Sequence, residues 1–438
     1  MQESKPLPPS PPGQPILGHT TPFVRDPFGF VRDAVESTGD LFRFRLLGKD
    51  VTVLAHPDHV EKALLDRDTF AKLDDFEVAF GDALLSVEGA QWQRQRRAME
   101  GFFSPVRIQE HAETMVEVAQ ARTGRWVPGE TIRLDEEMRS LALQNLFEVI
   151  LGQSLADDEL DEVAEVANAL NLWFKPTSWA LPDWVPTPAR YRFRRGSIAL
   201  RERARELLER PDERPSEDSL LATLSQLRAD PDSGFDRAEV LDQAVGMLFA
   251  GHETTALAMT YALQQIGSHP DVAERLQAEI DATVEGTPSL SDLRELTYLD
   301  QVVSETLRLY PPVHAIPRVT TAAVDVGGFR IPDDEQVLLS VWSIHRDARF
   351  YDAPLTFDPD RWAETSPRAH GYAFVPFGAG PRICIGRHFA RIEMKATLTV
   401  IAQRYRLETE ADIALSPQMT TQPDEPVTAE IKRRASFD

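Results

Sequence analysis

The sequence predicts a mainly helical protein of the α+β class, in which small β-sheets accompany one large helical domain. A helix of about 30 residues between Asp236 and His269 would be roughly 45 Å long, which is enough to cross a whole domain. No internal repeat or flexible linker divides the chain, so residues 1–438 are expected to form a single domain. The strand-like segments are short and lie near residues 41–56, 324–331, 336–340 and 426–432, and a Gly-Gly turn within 324–331 predicts a hairpin.

The long helix has a recognisable start and end in the sequence. Asp236 supplies an oxygen acceptor for the first free backbone N–H groups, and Glu239 places an acid in the first turn. Apolar residues then recur at helical spacing until the Gly-Ser-His-Pro run at residues 267–270. A helix of this length must be buried along much of its course.

The middle of this helix, residues 250–255, has an unusual composition for a buried helix. Gly251 lowers helix stability by about 1 kcal/mol relative to alanine, and the Thr254 hydroxyl can compete for backbone carbonyls. The Glu253 carboxylate is costly to bury without a partner. Such a patch indicates a functional kink, although a tight Gly–Thr helix-packing contact would also explain it.

Cys384 is the only cysteine, and its surroundings differ from those of an ordinary buried cysteine. Three glycines within residues 378–386, with Pro381 among them, predict a sharply bent backbone that passes close to a flat or bulky group. The helix predicted from Arg387 onward places the sulfur at a helix N-terminus, which favours thiolate over thiol. A thiolate held in this way can be the axial ligand of a haem iron. The alternative is a small, inert core residue.

A third predicted helix ends at Pro311 and carries Glu305 and Arg308 on one face, three residues apart. In isolation, such a pair is most often a solvated surface salt bridge that contributes little to stability. The pair therefore needs further evidence before a buried role can be assigned to it.

Three segments together resemble the cytochrome P450 family. Residues 250–255 resemble its oxygen-activation motif, and Glu305 with Arg308 resembles its Glu-x-x-Arg element. The resemblance implies the cytochrome P450 fold, with haem between the long central helix and the cysteine loop. The cysteine loop resembles the family's haem-binding loop at six positions, which are Phe377, Gly378, Gly380, Arg382, Cys384 and Gly386.

The resemblance also implies roles for residues near the reaction centre. Cys384 would be the ligand of the iron of a haem b. Thr254 and Glu253 would take part in oxygen activation and proton delivery. Ala250 and Gly251 would leave room for oxygen over the haem.

Further roles follow from the same resemblance. Arg361 would join Glu305 and Arg308 in a buried charge network that holds the loop on the haem side. Arginine suits a buried carboxylate because its planar group can donate two hydrogen bonds. The residues expected at the haem propionates are Trp92, Arg96, Arg318 and Arg382.

Apolar residues at family-like positions are expected to line the substrate pocket, and they favour a lipophilic substrate. The expected lining residues are Phe76, Phe80, Leu84, Val313, Ala315, Ile316 and Met419. Three tryptophans within residues 172–184 precede a cluster of arginines within residues 190–195. This segment is either a packed lid or a peripheral contact with a membrane surface.

Charge and composition narrow the class of protein. A net charge of −23 argues against nucleic acid as a partner. Only seven of the 47 basic residues are lysine, which fits either a salt-rich cytoplasm or a coding bias towards arginine.

The single cysteine excludes an intramolecular disulfide and favours a reducing compartment. The proline-rich residues 1–18 contain no membrane anchor or signal peptide, so a cytoplasmic protein is expected.

The resemblance implies a haem-thiolate monooxygenase that inserts one oxygen atom of O2 into a lipophilic substrate. Electrons would come from a ferredoxin-type donor with its own reductase, which would dock near Arg96, Arg97 and Arg387 on a monomeric enzyme. Two alternatives stay open. One is a peroxide-using or isomerising haem-thiolate enzyme, and the other is a non-catalytic haem sensor or carrier.

Overall fold

Helices form most of the structure. The computed structural model describes residues 5–175, 178, 181, 184–209 and 219–434. Its α-helices are α1 Thr20–Arg25, α2 Pro27–Thr38, α3 Pro57–Leu65, α4 Asp75–Phe80, α5 Gly89–Glu100, α6 Pro105–Glu110, α7 Ala112–Thr123, α8 Leu134–Asn145, α9 Asp157–Asn168, α10 Pro188–Glu209, α11 Leu220–Ala229, α12 Arg237–Ala250, α13 Glu253–Ser268, α14 Pro270–Thr283, α15 Leu290–Glu295, α16 Thr297–Leu309, α17 Val341–Ile344, α18 Arg361–Glu364 and α19 Arg387–Arg404. A π-helix covers Leu146–Leu151, and 3-10 helices cover Ala169–Leu172, Pro367–Ala373 and Gly380–Arg382.

The long predicted helix is present but interrupted, because α12 and α13 meet at Gly251 and His252. The Asp236 side chain caps α12 by accepting a hydrogen bond from the Glu239 N–H at 2.8 Å. The interruption falls within residues 250–255, so the predicted kink is confirmed. The helices predicted before Pro311 and after Cys384 are confirmed as α16 and α19, and Trp92 and Arg96 lie on α5.

The strands are short. They are β1 Leu41–Leu46, β2 Lys49–Leu54, β3 Phe70–Ala71, β4 Thr131–Arg133, β5 Ala315–Thr320, β6 Val324–Val326, β7 Phe329–Ile331, β8 Gln336–Ser340, β9 Tyr405–Thr409, β10 Leu415–Pro417, β11 Thr421–Pro423 and β12 Thr428–Arg433. All four predicted strand regions contain strands, and β6 and β7 form the predicted hairpin across Gly327 and Gly328.

The strands form two sheets and two hairpins. The larger sheet has the order β1-β2-β8-β5-β3, with β2 and β8 parallel and the other pairs antiparallel. A three-stranded sheet has the order β4-β12-β9, and β10 pairs with β11 in a separate hairpin. In the larger sheet Ala315 of β5 lies opposite Ser340 of β8, which brings the segment after α16 beside α17.

The main hydrophobic core surrounds α13, which packs against α8, α16, α19 and β9. Met259 and Ala262 of α13 are fully buried, as are Met138 of α8 and Met394 of α19. Burial of about 25 cal/mol per Å² of apolar surface makes this central packing the largest favourable contribution to the fold. The core thereby fixes α13 relative to α19, the helix that follows Cys384.

A fully buried ion network joins α16 to the segment before the cysteine loop. Arg308 Nη2 donates to Glu305 Oε1 at 2.7 Å, and Arg361 Nε donates to the same oxygen at 3.0 Å. Trp362 Nε1 donates to Glu305 Oε2 at 2.9 Å. Glu305 and Arg308 are completely inaccessible to solvent. The structure thus brings together the three residues that the sequence predicted as a network.

The same network reaches the cysteine loop through His345. Arg308 Nη1 donates to the His345 carbonyl at 2.7 Å. His345 Nε2 accepts a hydrogen bond from the Val375 N–H at 2.9 Å. Burial lowers the pKa of His345 to about 3, so the ring is neutral and can accept at this nitrogen. Val375 lies two residues before Phe377, at the start of the loop.

The tryptophan-rich segment before α10 is only partly described. Trp173 is buried and donates from Nε1 to the Asp75 carboxylate at 2.8 Å. Arg190 is buried as well, and its guanidinium donates to three backbone carbonyls of the preceding segment. Trp184 is 83% exposed, and Trp179 lies outside the described residues. Trp173 and Arg190 are packed into the protein, and both the lid and the peripheral membrane contact stay predictions.

No helix in the described ranges has the length and apolar composition that crossing a lipid bilayer requires.

Replacing Glu305 with glutamine should lower the free energy of unfolding by about 3–5 kcal/mol, because Arg308 would become a buried cation without its carboxylate. Urea unfolding followed by far-UV circular dichroism measures this loss. Asp360→Asn is a matched control, since Asp360 pairs with Arg275 at the surface and both side chains are more than half exposed. The control should change stability by about 0.5 kcal/mol or less. Equal losses in the two variants would contradict the structural role of Glu305.

Candidate active site

Cys384 lies on a tightly bent loop between the 3-10 helix Gly380–Arg382 and α19. The Cys384 N–H donates to the Phe377 carbonyl at 2.9 Å, which closes the loop into a ring. Gly378 and Gly380 have φ angles of 65° and 67°, a region that side chains rarely adopt. A Cβ at Gly380 would also lie 3.0 Å from the Leu64 carbonyl. Gly378 and Gly380 are therefore required by the backbone of the loop, whereas Gly386 has a φ of −84° and open space where a Cβ would lie.

The Cys384 side chain lines a cavity on one side and is surrounded by protein on its other sides. A ligand in the cavity can therefore reach the sulfur, although the surrounding protein shields it from bulk water. Burial raises the pKa of the Cys384 thiol. Hydrogen bonding from the Gly386 N–H and the positive charges of Arg96 and Arg387 act in the opposite direction. A thiol in this setting is neutral on its own, and a coordinated metal ion displaces its proton.

The cavity has a volume of about 460 Å³ and lies between the cysteine loop and the kink of the central helix. Ala250, Gly251 and Thr254 form part of the wall on the helix side. Cys384 and Gly386 belong to the loop side. The arrangement brings Thr254 and the predicted metal ligand Cys384 to one cavity.

Close packing explains the kink at Gly251. A Cβ at this position would lie 2.6 Å from Leu146 Cδ1 and 2.9 Å from the Met247 carbonyl, so a larger residue fits only if these neighbours shift. Leu146 begins the π-helix that follows α8, and such turns are frequent at functional sites. Thr254 Oγ1 donates to the Ala250 carbonyl at 3.0 Å across the kink. The Thr254 hydroxyl is thereby held at the cavity wall.

Glu253 is placed differently from Thr254. Its carboxylate is completely buried and is not part of the described cavity lining. Gln422 Nε2 donates to Glu253 Oε1 at 2.6 Å, while Oε2 lies 3.8 Å from Arg139 Nε and 3.7 Å from His252 Nε2. The acid therefore faces away from the cavity, towards α8 and the C-terminal hairpin. Arg139 and Gln422 carry no motif in the sequence, so only the fold identifies them.

All four predicted propionate-binding residues line the cavity, together with Phe377 and Gly378. Arg96 donates to the Ile383 carbonyl at 2.8 Å, and Arg382 donates to the Phe70 carbonyl at 2.7 Å and to the Glu88 carboxylate. Burial lowers the pKa of Arg318 to about 10, which leaves its guanidinium charged at neutral pH. The buried side of the cavity is therefore strongly cationic.

Lys72 adds a cation that the sequence interpretation missed. It lines the same cavity, and its ammonium group donates to the carbonyls of Leu84 and Val87 at 2.7 and 2.9 Å. Burial lowers the pKa of Lys72 to about 7, and the carboxylate of Glu88 partly opposes this effect. The residue follows a two-residue strand with no recognisable motif, so long-range packing alone reveals it.

These residues fit a haem. The Nε atoms of Arg318 and Arg382 are buried and have no hydrogen-bond partner within the part of the chain that the structure describes. A pair of carboxylates, such as the haem propionates, would satisfy these donors and neutralise the cations. The Cys384 sulfur opens onto the same cavity and can supply the axial ligand.

Six of the seven predicted pocket residues line the cavity: Phe76, Leu84, Val313, Ala315, Ile316 and Met419. The prediction is wrong for Phe80, which is fully buried behind the lining. Its ring packs against Phe249 and Phe76, with centroid distances of 5.3 and 6.4 Å. Phe80 sits at the end of α4, where its side chain turns into the core. Residues of the lining that were missed include Phe174 and Met247.

The chain was compared with known proteins. The profile of the family described as Cytochrome P450 matches residues 8–430. Cyclooctat-9-en-7-ol 5-monooxygenase of Streptomyces melanosporofaciens is 32% identical over 405 residues, which cover 90% of this chain and 88% of that protein. Pentalenene oxygenase of Streptomyces avermitilis is 30% identical, with 92% of each chain covered. The solved structure of cyanobacterial CYP120A1 with retinoic acid bound superposes with a TM-score of 0.86 at 24% identity, covering 99% of this chain and 100% of that one.

Gly251→Ala should destabilise the protein by about 1–3 kcal/mol, because the new methyl group would overlap Leu146 and the Met247 carbonyl. Urea unfolding of the haem-loaded protein measures the loss. Gly101→Ala is the control, since a Cβ at Gly101 meets nothing within 4 Å and its φ of −59° suits alanine. The control should lie within about 0.5 kcal/mol of the wild type. Equal stability of both variants would show that the packing at the kink is looser than described.

Proposed function

The chain belongs to the cytochrome P450 family and is a monooxygenase with a haem-iron cofactor, and from this premise we propose that it hydroxylates a lipophilic substrate. One oxygen atom of O2 would be inserted, with electrons from a separate redox partner. The observation that carries the proposal is that Cys384 and Thr254 line one predominantly apolar cavity. An enclosed apolar space between a thiolate ligand and a hydroxyl group suits oxygen chemistry on a hydrocarbon.

We assign the cofactor as haem b, held by Cys384 and by the cations that line the cavity. When bound, haem supplies the oxygen chemistry, and a thiolate ligand favours O–O cleavage. Covalent attachment through two cysteines is excluded, because the chain has only one. Arg96, Arg318 and Arg382 would bind the propionates, and Trp92 would pack beside them.

Proton supply is assigned to Thr254 and Glu253. The Thr254 hydroxyl lies at the cavity wall, where it can hold a proton donor close to the reacting atoms. Glu253 lies directly behind it, held by Gln422 and accompanied by Arg139. A proton would pass from the Glu253 carboxyl to the Thr254 side of the helix.

A substrate of low polarity is supported by the lining and by the relatives. Phe76, Leu84 and Met419 present hydrocarbon to the cavity. The two Streptomyces relatives are named for cyclooctat-9-en-7-ol and pentalenene, an alcohol and an alkene. These two compounds are therefore the first to be tested as substrates of this enzyme.

Electrons would come from a ferredoxin-type donor with its reductase. The chain's single cysteine cannot hold an iron–sulfur cluster, which takes four cysteines. Arg97 is exposed on α5, and Arg387 lies at the start of α19 beside the cysteine loop. These cations would attract an acidic donor. The enzyme is proposed to act as a monomer in the cytoplasm.

Cys384→Ala should abolish the absorption maximum that a thiolate-ligated haem shows after reduction and addition of carbon monoxide, because no other thiol can replace the ligand. The reduced difference spectrum measures this directly. His388→Ala, four residues further along the chain, is the control and should retain the maximum. A wild type that binds haem but lacks the maximum would refute the proposed function.

Thr254→Ala should reduce the product formed per NADPH by about tenfold or more, since a positioned proton donor typically contributes about 100-fold or more to rate. The yield is measured with reconstituted ferredoxin and reductase, using the compound that shifts the haem absorption band most. Thr260→Ala is the matched control, because Thr260 makes the same bond to the residue four earlier but is buried away from the cavity. An unchanged yield in Thr254→Ala would remove its catalytic assignment.

A further inference from the structure

Residues 81–88 join α4 to α5 and form one side of the cavity, and we call them the wall segment. Ala83, Leu84 and Leu85 line the cavity from this segment, whereas Asp82 is exposed to solvent. The wall segment forms turns rather than a helix or a strand. A single stretch of irregular chain therefore separates the cavity from solvent at this place.

The first half of the wall segment is bound to the central helix by two side chains of α12. Asp242 accepts a hydrogen bond from the Asp82 N–H at 2.8 Å, and Gln243 accepts one from the Leu84 N–H at 3.0 Å. Gln243 also donates to the Asp82 carbonyl at 3.1 Å. Residues 82–84 are therefore fixed to α12.

Lys72 fastens the second half of the wall segment. Its ammonium group donates to the Leu84 carbonyl at 2.7 Å and to the Val87 carbonyl at 2.9 Å. Both carbonyls belong to buried residues, so they need this donor in place of water. The backbone N–H of Lys72 also donates to the Glu88 carboxylate at 2.8 Å. One residue thus joins the cavity wall to the cationic side of the cavity.

The ammonium group of Lys72 lies where it can lose its proton. Burial lowers the pKa of Lys72 to about 7, and the carboxylate of Glu88 on α5 opposes this effect. The positive charges of Arg382 in the cysteine loop and Arg318 in β5 lower the pKa further. A charged donor makes hydrogen bonds roughly twice as strong as a neutral donor. The hold of Lys72 on the two carbonyls therefore weakens as the pH rises through its pKa.

We propose that Lys72 is a positioning residue that holds the wall segment closed while it is charged and lets the segment open after it loses its proton. The inference rests on the proposed function, because the cations around Lys72 are those assigned to the haem propionates. Bound propionates add negative charge there, so Lys72 keeps its proton to a higher pH in the haem-loaded protein than in the haem-free protein. Ligand entry into the cavity is therefore slow at low pH and faster at high pH.

The association rate of a bulky azole tests this role of Lys72 without any turnover. A phenyl-substituted 1,2,4-triazole can bind the haem iron through a ring nitrogen, and that nitrogen stays unprotonated between about pH 6 and pH 10. Stopped-flow absorption of the haem-loaded protein follows binding through the shift of the haem band. The rate should rise about tenfold across this pH range, because two charge-assisted hydrogen bonds to the wall segment are weakened.

Two substitutions of Lys72 should remove the pH dependence in opposite ways. Lys72→Arg keeps a charged donor at every pH and should retain the slow rate that the wild type shows at low pH. Lys72→Met removes the donor and should be fast at every pH. Lys62→Met is the matched control, because Lys62 is exposed and also donates to a backbone carbonyl, that of Asp325, at 2.9 Å. It should reproduce the wild-type profile.

Hydrogen–deuterium exchange of the backbone N–H groups of the wall segment follows its opening without any ligand. Above the pH at which Lys72 loses its proton, the wild type should exchange there about tenfold faster than Lys72→Arg at the same pH. This comparison keeps the test decisive if Lys72→Met fails to fold.

The proposal is overturned if the wild-type association rate does not change with pH, or if Lys72→Arg follows the wild-type profile. Equal exchange of the wall segment in the wild type and Lys72→Arg at high pH overturns it as well. A thiolate-type carbon monoxide spectrum in such a protein would show that the proposed function survives without this role of Lys72.

Discussion

The buried carboxylate of Glu305 sets the position of the proposed iron ligand, Cys384, which lies about eighty residues later in the chain. Glu305 accepts hydrogen bonds from Arg308, Arg361 and the Trp362 indole. Arg308 also donates a hydrogen bond to the His345 carbonyl. The His345 ring then holds the N–H of Val375, at the start of the cysteine loop. Desolvating these charges is expensive, so the network is stable only when it is complete. The complete network holds the cysteine loop in a single conformation.

The cavity that results has two electrostatic halves. Arg96, Arg318, Arg382 and Lys72 collect at one side, where a dianionic group would be bound and neutralised. The rest of the lining is hydrocarbon, with a few neutral polar groups such as Thr254. Coulombic attraction is strong in such a desolvated space, so the proposed role of these cations is to orient an anionic cofactor, without contributing to recognition of a neutral ligand. The cofactor and the substrate are therefore selected by different physical forces in one space.

Local sequence patterns predicted the elements whose structure depends on residues that are close together in the chain. Helical periodicity located α12 and α13, a Gly-Gly pair located the β6–β7 hairpin, and the glycines near Cys384 located the bent loop. Family resemblance supplied Arg361 as the third member of the Glu305 network, which spacing alone could not identify. The sequence could not predict the direction in which Glu253 points. That direction depends on Gln422, which is distant in the chain and comes close only through tertiary packing.

Dependence on tertiary packing also explains why the sequence prediction was wrong for Phe80 and missed Lys72. Phe80 lies one helical turn from Phe76. The Phe76 ring lines the cavity, whereas the Phe80 ring enters the core, and this difference depends on the exact rotation of α4 about its axis. Lys72 reads as an ordinary surface lysine until the fold encloses it. Burial is a property of the assembled chain, so composition and periodicity leave such residues undetermined.

The contact between Gly251 and Leu146 has an evolutionary consequence. Because a side chain at one position would occupy the volume already filled by the other, the two sites share a single space between the kink and the π-helix. Among descendants of this gene, a larger residue at 251 should be found only where 146 has become smaller. Directed evolution of the oxygen-side wall would therefore lose less stability with paired libraries at these positions than with a library at residue 251 alone.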